Sequence, residues 1–264
     1  MVPPATYKIT LNPLDHAEMV WIAPGDFLMG SSAADVTAIL QQHPDWREDW
    51  FAQEQPQRVV SLAGYWLYRY PVTVAQFHSC CRATGWRMPA APPWGWQDDH
   101  PMVNVSWQDV THYATWAQAV IPSEAQWEKA ARGTDGRTWP WGNTWQPEAC
   151  HHATSGAGTE AVGARPANVS PYGACDMVGN VWEWCLASPV GDYAPKLSRT
   201  PHRKSPSASG RVLRGGAWQC AFAAYLRCAF RCFECDLQRG REAYRRPTVG
   251  FRCAVVTHLS DADI

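Results

Sequence analysis

No run of about 18 apolar residues occurs in the 264-residue chain, so the sequence predicts no membrane-crossing helix. The opening MVPPATYKITL has no basic segment followed by an apolar run, so no secretory leader is expected and the product is cytoplasmic when made. In that reducing setting the ten cysteines are expected as thiols rather than disulfides. Net charge is almost absent: 23 Lys and Arg against 24 Asp and Glu leave −1, which selects no class of partner. No internal repeat is visible, which excludes solenoid and propeller arrays.

What is present is apolar and aromatic. At 46% hydrophobic residues the chain can bury a full core and is not disordered. Sixteen tryptophans predict irregular loops packed around large rings, each with one donor to satisfy. Abundant Trp and Arg are also compatible with heat stability. Charge is unevenly spread. Residues 1–60 carry eight acids and three bases, whereas Arg211 to Arg252 carries nine arginines against Glu234, Asp236 and Glu242.

Three helices have readable starts. Thr73 to Thr84 follows Pro71 and ends at Gly85, a residue suited to the left-handed cap. Ser106 with Asp109, and Ser123 with Gln126, have capping-box spacing at the heads of Ser106–Ala119 and Ser123–Arg132. Their large apolar residues recur every three or four positions, a core-facing pattern. Residues 19–30, 59–72, 211–218 and 250–256 have strand composition, and turn-rich runs fill 88–101, 135–147 and 190–210. Strands near both ends with helices between predict one α+β domain, 1–264, whose ends pair together.

Seven segments then appear in order: MVWIAPGDFLMGS, YWLYRYPVTVAQF, PMVNVSWQDV, IPSEAQWEKAARGTDGRTWPWGN, SPYGACDMVGNVWEW, RVLRGGAW and GFRCA. This series resembles the formylglycine-generating-enzyme (sulfatase-modifying factor) family. The resemblance implies a C-type lectin fold of that subtype, with little regular structure and a twisted antiparallel sheet joining the termini. It also implies a site to check, because a fold does not fix an activity. The family's oxidases use two cysteines five residues apart and a serine after RGG. Here Cys220 stands in the first cysteine position, Tyr225 in the second and Ala217 in that of the serine. A tyrosine neither binds copper as a soft thiolate does nor serves in dithiol exchange. No catalytic residue is therefore assigned, and a thiol oxidase using Cys220 is kept as the alternative. The family's structural calcium maps by position onto the Asp176 and Glu183 carboxylates and the Gly179 and Val181 carbonyls, hard oxygen ligands that suit it. The competing reading pairs Glu183 with an arginine. A second calcium site of the family is not expected, since 154–166 is short and lacks its aspartate.

Between RGGAW and GFRCA, nine of the 31 residues 219–249 are Cys, Phe or Tyr. All three types are reached from the asparagine codon AAC by changing only adenines. The segment resembles the variable region of diversity-generating-retroelement proteins, in which adenine-directed copying rewrites the 3′ end of a gene. Against their asparagine-rich template form AANLRSANR, residues 223–231 (AAYLRCAFR) align without a gap. The three differences, at Tyr225, Cys228 and Phe230, are all adenine changes. The resemblance implies a variable region of about 217–252 that displays its varied side chains outward. The expected ligand contacts are Cys220, Phe222, Tyr225, Cys228, Phe230, Cys232, Phe233 and Cys235, with Arg239 and Tyr244 as weaker additions. Trp218, Leu226, Arg227, Arg231 and Phe251 are expected as fixed supports. Aromatic and arginine side chains give large contact area with few rotors, which suits a surface selected for binding.

The function expected is non-enzymatic binding of a protein or surface glycan by a monomer that needs no cofactor. A phage virion or a cell surface is the expected destination beyond the cytoplasm. Cys232 and Cys235 form a CxxC without a companion pair, a weak zinc signal even with Cys228, Cys220, Cys253 or Cys150-His151-His152 nearby. The arginines are expected to brace loops rather than bind nucleic acid. His78 and His112 on helices are expected to be hydrogen-bonded structural residues, and one of Cys80 and Cys81 to face the core.

Overall fold

A computed structural model describes residues 7–187, 211–232 and 244–256. Thirteen regular elements among them leave most of the chain as loop. The strands are β1 (Ile9–Leu11), β2 (Glu18–Ile22), β3 (Gly25–Met29), β4 (Arg58–Leu62), β5 (Tyr65–Tyr68), β6 (Trp182–Leu186), β7 (Arg211–Arg214), β8 (Val249–Gly250) and β9 (Ala254–Val256). The helices are α1 (Ala33–Gln42), α2 (Val74–Thr84), α3 (Trp107–Trp116) and α4 (Glu124–Arg132).

The capping-box reading holds for α3 and α4, and α2 has the same device at its head. Thr73, Ser106 and Ser123 each accept the N3 amide, and the N3 side chain returns to the cap amide. Gly85 closes α2 at φ 72°. Helix α1 carries the same device in Ser32 and Asp35 but was not expected. Val36 is its one fully buried residue, so its apolar pattern is too thin to reveal a periodic face.

The predicted strands 19–30 and 59–72 are each two. β2 pairs with β5 and β3 with β4, all antiparallel. The ladder keeps one register across the break: Ile22 faces Tyr65 on one side and Gly25 faces Leu62 on the other. Pro24, lacking an N–H, interrupts the hydrogen bonding, and the ribbon turns from one sheet into another. The first sheet has the order β1-β2-β5-β9, so both ends of the described chain enter it, at opposite edges rather than as direct partners. The third sheet, β7-β6-β8, places Glu183 beside both Arg214 and Gly250.

Rings fill the space between the sheets and helices. Phe77 stacks on Tyr113 at 5.8 Å, and Phe251 meets Tyr113 edge-on at 5.3 Å. Trp127, Trp139 and Trp184 are fully buried. The polar heads are satisfied in two of these, since Trp127 donates to Glu183 and Trp184 to the Val105 carbonyl. Among the described residues no helix is long and apolar enough to cross a membrane.

Candidate functional site

The chain leaves β7 through Gly215 and Gly216, at φ 94° and 76°. A Cβ on Gly216 would lie 2.4 Å from the Leu226 side chain and 3.1 Å from the Tyr225 carbonyl, so only glycine lets the following loop close over this point. The loop makes a 3-10 turn at Ala223–Leu226 and returns to pair Cys232 with Leu213.

Arginines hold this loop from beneath. Arg214 reaches Glu128 of α4 and donates to the carbonyls of Cys228, Ala229 and Phe230. Arg231 forms a two-pronged pair with Glu124, one α4 turn away, at 2.7 and 2.6 Å. Arg227 donates to Glu54 at 2.6 Å and to the Ala224 carbonyl, and its guanidinium lies 3.9 Å over the Phe51 ring. All three pairs are buried. Buried pairs of this kind give little net stability over apolar packing, but removing one partner strands the other. They fix the backbone, which is the bracing role expected of these arginines.

The side chains that turn outward form a ridge. Phe222 is 52% exposed, and Tyr225 and Phe230 are half-buried. Phe222 and Tyr225 stand 5.8 Å apart, and Tyr225 and Phe230 5.1 Å. A fourth ring comes from elsewhere in the chain: Trp50, on the 3-10 turn Glu48–Phe51, lies 5.6 Å from Phe222 and 5.5 Å from Tyr225. Sequence reasoning missed Trp50 because nothing local marks it. The available signal was the charge imbalance, since acidic Glu54 of the N-terminal region pairs with Arg227 of the basic tail and brings the two segments together.

The outward expectation fails at three positions. Cys228 is 0% exposed, and its amide donates to the Thr138 carbonyl under the loop. Burial pushes its thiol up to about 12. Cys220 is 7% exposed and its sulfur accepts the Ala217 amide; burial lifts this thiol to about 11. Tyr244 is 5% exposed and packs edge-on against Trp184. A composition read by codon cannot distinguish a side chain pointing out from its neighbour pointing in, because the loop keeps neither helix nor strand period. Cys232 is half-buried, while Phe233, Cys235 and Arg239 lie outside the described residues. Of the expected supports, Leu226, Arg227, Arg231 and Phe251 are buried and Trp218 is half-buried.

The residues mapped to calcium do not fit it as a set. Glu183 gives both carboxylate oxygens to Arg252, at 2.7 and 2.8 Å, and one of them also to Trp127. Arg252 further donates to the Asp176 carbonyl, so a buried guanidinium already supplies the positive charge between these groups. Asp176 instead accepts the Gly163 amide at 2.6 Å. The Gly179 carbonyl accepts the amide of Val181, the other residue whose carbonyl was mapped to the ion. Among the described residues no three His, Cys, Asp or Glu side chains converge as a metal site, and His151 and His152 bond to the carbonyls of Gly158 and Pro147. His112 bonds to Thr84, and Cys80 is buried while Cys81 is half-buried.

The fold is that of the C-type lectin group in its formylglycine-generating-enzyme form. Among solved structures, PvdO from Pseudomonas aeruginosa superposes with a TM-score of 0.70 at 21% identity, covering 95% of this chain and 98% of that one. Treponema denticola variable protein 1 does so at 0.62 and 20%, covering 95% and 99%. In sequence, the formylglycine-generating enzyme of Mus musculus is 29% identical over 313 residues, covering 96% of this chain and 78% of its own length. The sulfatase-modifying factor enzyme 1-like domain matches residues 8–257, nearly the whole length, and the chain belongs to that family.

Proposed function

We propose that the protein is a non-enzymatic binding protein whose contact surface is the ridge of Trp50, Phe222, Tyr225 and Phe230, and that a retroelement varies the tail's share of that ridge. One observation carries the reading: three positions reachable from asparagine codons by adenine changes alone place rings along the outer side of the loop, Phe222 more than half exposed and Tyr225 and Phe230 half-buried, over a backbone that buried arginines brace. Such rings supply contact area at low entropic cost, and changing them leaves the supports untouched. The fold shared with Treponema denticola variable protein 1 supports the reading to the extent that this architecture carries a variable protein elsewhere. A protein or surface glycan large enough to cover several rings is the fitting ligand class.

The oxidase reading is favoured by the likeness to the mouse enzyme and by Cys220 in the first cysteine position. Against it stand a buried thiol held at about 11, with little thiolate at neutral pH, and a ring at position 225. Turnover of a cysteine-bearing peptide with added copper separates the two. None is expected; turnover abolished by Cys220→Ser would replace the binding reading. For the retroelement, sequencing of the flanking DNA should find a near-copy of the 3′ segment, differing at adenines, beside a reverse transcriptase gene.

A further inference from the structure

Trp50 is the one ring of the ridge that comes from outside the tail, yet its turn is tied to the tail by residues that carry no ridge ring. Arg227 donates to Glu54 and lies over Phe51, and Arg231 donates to the Gln53 carbonyl at 3.1 Å. From the other side the Ser31 amide holds the Glu54 carbonyl at 2.9 Å. Phe51 is fully buried, so the residue next to Trp50 is anchored in the interior. These contacts set where the Trp50 backbone stands relative to the loop. Both arginines are supports of the loop, not positions at which its rings stand.

The indole itself is half-buried, with the rings of Phe222 and Tyr225 beside it at 5.6 and 5.5 Å, each tilted by 52°. Its N–H has no hydrogen-bond partner among the described residues and, unlike that of Trp139, is not sealed from solvent. A rigid apolar face with an open donor is the chemistry that dominates protein contact surfaces. Exchange at 222 or 225 changes what stands beside this indole and leaves the indole where it is. A ring at either position continues the ridge. A small residue there opens a recess against the indole, shaped for a protruding apolar side chain.

On the ridge reading, on which this rests, we infer that Trp50 is a constant anchor: every variant of the tail binds its partner protein through Trp50, and positions 222 and 225 decide which partner fits against it. The test randomises positions 222, 225 and 230 in the displayed full chain, once with Trp50 and once with Trp50→Ala. Both libraries are selected on lysozyme, streptavidin and serum albumin. The Trp50 library is expected to yield binders, and placing Trp50→Ala in each should weaken it about tenfold or more, whichever target it binds. Trp50→Phe should restore most of that loss. Melting of each Trp50→Ala binder shows whether it keeps its fold, and the second library, selected for folded binders without the indole, should give affinities about tenfold weaker or worse. The inference is overturned if selected binders keep their affinity in Trp50→Ala, or if the second library gives equally tight binders. Neither of those results touches the ridge reading, which falls instead if no binder emerges from either library.

Discussion

Two faces of one loop, Arg214 to Cys232, meet opposite demands. On the inner face Arg214, Leu226, Arg227, Cys228 and Arg231 are buried, and every guanidinium is matched to a glutamate of α4 or of residue 54. On the outer face Phe222, Tyr225 and Phe230 meet one another and Trp50, while the inner edges of Tyr225 and Phe230 rest on the core, Phe230 against Trp182. The inner face commits its polar groups to backbone carbonyls and glutamates, so polar bonds from buried side chains brace the loop's course. A protein that must keep one fold while changing its contacts needs this division, and here it runs between adjacent residues.

The comparison is easiest to break from inside. Arg227→Ala leaves the Glu54 carboxylate buried without its cation and frees the turn that presents Trp50. We expect a loss of about 3–5 kcal/mol in urea unfolding, together with loss of the ridge. Arg227→Lys should rescue little, since a point charge cannot bond Glu54 and the Ala224 carbonyl while lying over Phe51.

Cys228→Tyr probes the same boundary more finely. Codon reasoning groups position 228 with 225, yet the structure puts it inside, so the larger ring should overpack the core at about 1–3 kcal/mol. Tyr225→Cys, the reverse exchange three residues away, should cost less. Equal costs would erase the distinction between the faces.

The buried thiols give a pH signature. Cys220 and Cys228 are raised to about 11 and 12 from an ordinary value near 9, so the folded state holds their protons longer than the unfolded state. Their stabilising contribution is complete below about 9 and is lost as pH rises towards those folded values. Unfolding free energy should fall across that alkaline range, and less steeply in Cys220→Ala. At pH 8 both thiols should resist a thiol reagent until urea is added; rapid labelling of Cys220 in the native protein would contradict its placement.

Phe222→Ala should have the smallest effect on folding, within about 0.5 kcal/mol, because its ring is more than half exposed. In binding the order reverses: once a partner is in hand, loss of a ridge ring should cost about 2 kcal/mol or more in affinity.

How far the sequence foretold this arrangement depended on whether the signal was local. Capping boxes at Ser106 and Ser123, and Pro71 with the closing Gly85 around α2, placed three helices because each signal is decided within a few residues. The ribbon's kink at Pro24 was hidden inside an apolar run that reads as one strand. Trp50 and the inward turn of Cys220, Cys228 and Tyr244 depend on contacts across the fold, Glu54 with Arg227 and Thr138 with Cys228, which no periodicity announces. The supports were legible for a different reason: arginines among small and aromatic residues have few stable places except over carbonyls and carboxylates.

The position of β9 has one more consequence. It pairs with β5, and Arg252 just before it enters the middle of the protein to meet Glu183. A nascent chain therefore cannot complete its first sheet until this last strand has cleared the ribosome, after every residue of the tail loop has been made. A chain that stops within the tail loop forfeits the closing strand and its arginine, and cannot finish the sheet.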